Sequence, residues 1–169
     1  FKDVMTDRNL SNLWIVNFDG SNHRPLTTGN HNDFAPKWSH DGKKIVFKSN
    51  MADEKMKLYL MWLDTKEVMA LTNTPQAPGQ VSWSHDDRYV AFNMFVPEAD
   101  KSIIKMPAKP EGAKWNAPPK YIDKMNYRGD GQGYLKGGNM QLFTLPISGG
   151  TPKQLTFKEF DHGGPIWAK

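Results

Sequence analysis

Three groups of residues in this chain could carry chemistry. The first is Tyr127-Arg128-Gly129-Asp130-Gly131-Gln132-Gly133-Tyr134, with Trp115 upstream of it. An arginine can hold a carboxylate through two parallel hydrogen bonds. Tyrosine and tryptophan supply flat contact surface with a polar handle. The glycines also suggest a phosphate loop, but no Lys-Ser/Thr and no helical pattern follows them. They read as turn glycines that reach positive φ. A structural ion pair of Arg128 within the blade is the competing reading. On the first reading, Trp115, Tyr127, Arg128, Asp130 and Tyr134 are the candidates for contact with a substrate or a neighbouring domain.

The second group is the five histidines: His23, His31, His40, His85 and His162. A metal centre needs convergent ligands. His40 and His85 hold equivalent places in a repeat, and equivalent places spread around a ring, so neither a metal nor a cofactor is expected. His31-x-Asp33 and Asp161-His162 fall in comparable loops, where turn and capping hydrogen bonds account for them. The third group is basic. Residues 101–136 hold eight basic and three acidic residues, an excess of five in a chain whose formal charge is +4. With Trp115, Tyr121 and Tyr127 interleaved, nucleic-acid binding comes into view. Against it, Pro107, Pro110, Pro118 and Pro119 break the segment, and no helical face gathers the lysines. A solvated loop, or one docking on an acidic neighbour, is the expectation.

The elements that must position these residues recur. Trp38-Ser39-His40-Asp41-Gly42-Lys43-Lys44-Ile45-Val46-Phe47 returns 45 residues later as Trp83-Ser84-His85-Asp86-Asp87-Arg88-Tyr89-Val90-Ala91-Phe92. Each block is a strand, a polar turn and a second strand, because Asp-Gly suits a tight turn and Ile-Val-Phe suits a pleated, packed surface. Leu13 to Asp19 overlays Leu58 to Asp64, and Leu26-Thr27 overlays Leu71-Thr72. A third copy lies 84 residues beyond the second: Leu142-Phe143, Leu155-Thr156 and Trp167 overlay Leu58-Tyr59, Leu71-Thr72 and Trp83. The longer interval measures an insertion at about 96–140.

Each cycle thus holds a Trp strand, an Ile/Val-Phe strand, a Leu-aromatic strand and a Leu-Thr strand. Four short strands at this period are the signature of a β-propeller blade. The expected fold is all-β: a partial propeller of about three four-stranded antiparallel blades, not a closed ring. The repeats run over about 13–57, 58–141 and 142–169. A β-sandwich is the bland alternative. Leu13 to Phe18 and Leu58 to Leu63 are near-continuously apolar, which predicts burial on both faces. Trp14, Trp38, Trp62, Trp83 and Trp167 are expected to pack between blades, whereas Trp115 stands outside the repeat. Propellers close with about four to eight blades, so the chain is read as a piece of a longer protein. Bare blade faces would make such a piece self-associate. The chain has no cysteine and no apolar run of membrane-spanning length. Neither fact fixes a compartment, and bacterial periplasm and cytoplasm both remain open.

The Trp-Ser-His-Asp-Gly-Lys block resembles the Trp-Ser-Pro-Asp-Gly-Lys repeat of TolB-type propellers. The propeller domains of the prolyl oligopeptidase family of serine peptidases share that repeat. Here His40 and His85 stand where proline is usual, and Asp87 replaces glycine. The insertion is similar to that of the bacterial acylaminoacyl-peptidase and dipeptidyl-peptidase-like branch: Tyr127-Arg128, then Asp130-Gly131-Gln132-Gly133-Tyr134, then a Leu-aromatic strand, then Gly149-Gly150-Thr151-Pro152-Lys153-Gln154-Leu155-Thr156. The resemblance implies a propeller that precedes an α/β-hydrolase domain bearing a Ser-Asp-His triad on a Gly-x-Ser-x-Gly elbow. No such elbow occurs in this chain, so by itself it is expected to be non-catalytic. The partners implied are the missing blades, the hydrolase domain and a peptide substrate. A TolB-like protein-binding propeller without activity is the alternative. A propeller lyase acting on oligosaccharides is a third reading, which would require convergent metal-binding histidines.

Overall fold

The computed structural model describes residues 1–99, 107–116, 122–131 and 133–168. Tyr121, Gln132, Pro118, Pro119 and lysines 101, 105 and 120 of the basic run lie outside the described residues. The described residues form strands and turns with no helix, and therefore no helix long and apolar enough to cross a membrane. They divide into two compact units, Phe1–Val96 with Asn139–Lys169, and Pro97–Gly138.

The first unit opens with a small hairpin, β1 (Lys2–Asp3) and β2 (Arg8–Asn9), followed by the pair β3 (Trp14–Ile15) and β4 (Arg24–Pro25). A four-stranded sheet comes next: β5 (Asp33–Trp38), β6 (Lys44–Ser49), β7 (Lys57–Trp62) and β8 (Val68–Ala70), in that spatial order. Each strand is antiparallel to its neighbour. A second sheet starts with β9 (Pro78–Trp83) and β10 (Tyr89–Pro97). The chain then leaves to form the hairpin of β11 (Arg128–Gly129) and β12 (Gly133–Tyr134) in the other unit. It returns as β13 (Gly138–Pro146) and β14 (Lys153–Gln154), giving the order β9-β10-β13-β14. Both sheets therefore carry the four expected strands in the expected sequence, and neither sheet closes on itself.

Side-chain hydrogen bonds explain why the repeat is written as it is. The Leu-Thr block folds its threonine back onto the Leu strand. Thr27, Thr72 and Thr156 each accept, at Oγ1, the amide of Leu13, Leu58 and Leu142 at 2.9 Å. The Trp-Ser-x-Asp block builds its turn from the serine. Ser39 Oγ donates to Asp41 at 2.6 Å and accepts the Lys44 amide at 2.9 Å. Ser84 repeats both bonds with Asp86 and Tyr89 at the same distances. These are local alternatives to ladder bonding, and they end strands where the blade must turn.

The core explains the loss of alternation. Val46, Leu58, Leu60 and Leu71 of the first sheet pack with Trp83, Val90, Phe92 and Phe143 of the second. Ile45, Phe47, Tyr59 and Met61 use the opposite face of the first sheet and pack with Leu13. A middle strand thus buries both faces, which matches the reading of Leu58 to Leu63. The same reading fails for Leu13 to Phe18. Only Trp14–Ile15 are strand, and Trp14, Val16 and Phe18 are exposed. Among the described residues β3 has a single strand neighbour, β4, so equivalent sequence meets a different environment. Trp38 is also exposed, whereas Trp83 is buried and bonds back to the Lys37 carbonyl of the preceding sheet.

Candidate functional site

The hairpin in the smaller unit gathers four of the five candidate residues. Arg128 pairs with Tyr134 across β11 and β12, and Gly129 pairs with Gly133. The Leu135 amide closes the hairpin onto the Tyr127 carbonyl at 2.8 Å. The Tyr127 and Tyr134 rings lie 6.2 Å apart. Asp130 sits in the turn, where Gly131 and Gly133 adopt φ of 72° and 73°, the conformation that glycine reaches without a Cβ penalty. Tyr127, Arg128 and Tyr134 present an exposed surface. Among the described residues, Arg128 pairs with no carboxylate, so the ion-pair reading has no partner there. Trp115 lies on a separate segment and makes no ring contact with either tyrosine, so the structure does not join it to the hairpin.

A second candidate emerges in the larger unit, where the first strands of the sheets approach one another. Sequence reasoning did not single it out. Ala35 and Lys37 of β5, Gln80 and Ser82 of β9, and Gly164 and Ile166 beyond them line one cavity of about 480 Å³. These are the same two repeat positions taken three times, at the intervals of 45 and 84. Lys48 of β6 completes the wall. Two indole bonds hold the two strands and the final segment around the space. Trp83 Nε1 donates to the Lys37 carbonyl at 2.9 Å, and Trp167 Nε1 donates to the Ser82 carbonyl at 3.2 Å. The repeated tryptophans thus fasten each first strand to the one before it. In β5 a register shift lies between Phe34 and Lys37, and Ala35 within it has φ of 53°. A bulge of this kind redirects the side chains that follow it.

The turn between the first two strands carries a third feature. Asp87 has φ of 53°, and its glycine counterpart Gly42 has 67°. The aspartate that replaces glycine here is a link between sheets. Asp87 Oδ1 accepts the His40 amide at 2.8 Å and faces His40 Nδ1 at 2.9 Å, while Oδ2 accepts the Asp41 amide at 2.8 Å. Burial alone would raise the Asp87 pKa. The bonds from the His40 amide, the His40 ring and the Asp41 amide outweigh it and leave the pKa lowered. The His40 and His85 rings come within 5.4 Å of each other. The expectation that repeat-related histidines diverge therefore fails at this end of the blade, where successive turns converge. Among the described residues, no cluster of three groups suited to a metal forms. The two other histidine loops serve as anchors. Met140 donates its amide to Asp161, and the His162 amide donates back to the Met140 carbonyl, both at 2.8 Å. Ser11, Asn32 and Asp33 repeat that exchange at the start of the first sheet.

Known proteins can be set beside this geometry. No family model matches the chain. An uncharacterized peptidase of Bacillus subtilis, YuxL, is 28% identical over 162 residues, which is 96% of this chain and 24% of the relative. Dipeptidyl-peptidase 5 of Porphyromonas gingivalis is 44% identical over 50 residues, 30% of this chain and 7% of that one. The chain therefore spans about a quarter or less of the curated relatives it matches. Among solved structures, acylaminoacyl peptidase of Pyrococcus horikoshii superposes with a TM-score of 0.64 at 15% identity, covering 91% of this chain and 21% of the other. A putative TolB of Agrobacterium tumefaciens superposes at 0.52, also at 15% identity, covering 85% and 40%. At such identities the structures speak for the fold alone. Repeat, blade order and neighbours converge on one description: this chain is a β-propeller segment, similar in sequence to peptidases of Bacillus subtilis and Porphyromonas gingivalis.

Proposed function

We propose that the chain is the non-catalytic propeller segment of a serine peptidase that hydrolyses short peptides. In this reading the propeller restricts access to a buried triad and contacts the hydrolase domain. The bond-breaking residues lie outside this sequence: a serine attacks the peptide carbonyl after a histidine takes its proton, and an acyl-enzyme forms and is hydrolysed. The observation that carries the reading is the match to a peptidase over 162 of the 169 residues, insertion included. The exposed Tyr127, Arg128 and Tyr134 cluster is the proposed contact surface on the smaller unit, with Asp130 shaping its turn and Trp115 as a separate contact.

The test is a fluorophosphonate probe applied to source-cell lysate, followed by capture of every polypeptide that contains this sequence. A labelled band much larger than 19.2 kDa places an activated serine on the same chain. An unlabelled band, with other serine hydrolases labelled in the same lysate, overturns the peptidase reading and leaves a binding propeller of the TolB type.

A further inference from the structure

The cavity between the first strands departs from its own repeat at two positions, and both departures add positive charge. Lys37 stands where the later strands have Ser82 and Ile166. Lys48 stands where the second sheet has Asn93. Asn93 is buried and structurally engaged: its Oδ1 accepts the Gln80 amide at 2.7 Å, and its Nδ2 donates to the His162 carbonyl at 3.4 Å. Lys48 builds no such link. Its ammonium stands 5.6 Å above the Phe34 ring centroid. Among the described residues, neither Lys48 nor Lys37 forms an ion pair, and no carboxylate lines the cavity. Burial pushes the Lys48 pKa below its ordinary value. A cation drawn partly out of water with only a ring face for company lacks counter-charge. Packing does not call for Lys37 either. Its backbone carbonyl is what Trp83 uses, and any residue supplies a carbonyl.

We propose that this cavity is a carboxylate subsite, in which Lys37 and Lys48 hold the carboxylate of a peptide segment and the Gln80 amide lies beside it. The peptide nature of the ligand rests on the function proposed above, whereas the charge recognition rests on the cavity alone. At about 480 Å³ the space suits a few residues of extended chain, within the usual range for small-ligand sites.

The test uses the full-length parent protein and calorimetric titration at low salt with three matched peptides, made non-hydrolysable by backbone N-methylation. One has a free C-terminal carboxylate, one a C-terminal amide, and one a C-terminal amide with an internal glutamate. At least one carboxylate-bearing peptide is expected to bind about tenfold tighter than the plain amide. Which one does so tells a chain terminus from an acidic side chain. The double variant Lys37→Gln/Lys48→Gln is expected to bring all three to the affinity of the amide. Equal binding of the three peptides to the unaltered protein overturns the proposal, as does a preference that survives in the double variant. Should that variant lose the amide as well, Lys37→Arg/Lys48→Arg decides: a retained preference supports the subsite and a lost one overturns it. Probe labelling read in parallel separates the two claims. Labelling without carboxylate preference removes the subsite alone, and preference without labelling removes the peptidase reading alone.

Discussion

Replacing Asp87 by glycine isolates the link between the two sheets. Glycine tolerates the φ of 53° at this position, and the equivalent turn already uses Gly42, so the backbone has a proven solution. What is lost is the carboxylate that accepts the His40 and Asp41 amides at 2.8 Å. Hydrogen bonds to a charged group are worth about 1.5 kcal/mol each at the lower end, so two contribute about 3 kcal/mol. Relief of the left-handed conformation returns about 1 kcal/mol. The remaining ~2 kcal/mol corresponds to about a thirtyfold change in an equilibrium constant. The assay is amide hydrogen exchange, which reads local opening even in a larger protein. Protection of the His40 and Asp41 amides should fall about thirtyfold in Asp87→Gly, while the Leu60 and Phe92 amides keep theirs. Acidification supplies a second arm. The folded pKa of Asp87 lies below its ordinary value of 3.8, so its contribution is complete above that value. The contribution is lost as the pH falls through the lower, folded pKa. Protection of the two amides should keep its Asp87 contribution down to pH 3.8 and lose it only below that. Unchanged protection in Asp87→Gly would refute the claim that this carboxylate joins the sheets.

Two further outcomes follow from the same geometry. Thr72→Val keeps the shape of a buried side chain but leaves the Leu58 amide without its 2.9 Å acceptor. Denaturant unfolding should show a loss of about 1–3 kcal/mol, and an unchanged midpoint would remove the threonine from the account of the repeat. The exposed Trp14, Val16, Phe18 and Trp38 should drive the isolated 169-residue chain to associate. Sedimentation coefficients that rise with concentration are the expected sign, and a single monomeric species at high concentration would count against it.

The repeat was legible because each of its letters has a local task. Ser39 and Ser84 close turns, Thr27, Thr72 and Thr156 cap strands, and Leu58 and Leu60 fill a core. Such tasks are short in range and leave a periodic trace. Asp87 leaves none, since its partners lie 46 and 47 residues away on another sheet. By its turn position alone it is a substitute for glycine. The exposure of Trp14 and Trp38 was equally out of reach, because periodicity describes a residue's place in a blade and is silent about whether another sheet covers it. The hairpin around Asp130 was legible as a turn through its glycines. Its grouping of Tyr127 with Tyr134 depended on a strand pairing that two-residue strands signal only faintly.

Periodicity also changes how the candidate sites should be weighed. A residue that obeys the repeat is explained by the blade: Trp83 and Trp167 each bind the preceding first strand, and no ligand is needed to account for them. A residue that departs from the repeat needs a reason of its own. For Asp87 the reason is structural, because its carboxylate is fully engaged by the adjoining turn. For Lys37 and Lys48 the structure supplies no charged partner among the described residues, and both departures line one cavity. A scaffold selected only for stability would have little use for a half-buried ammonium at the place where Asn93 makes two hydrogen bonds in the next blade. The charge is better understood through what enters the cavity than through what surrounds it.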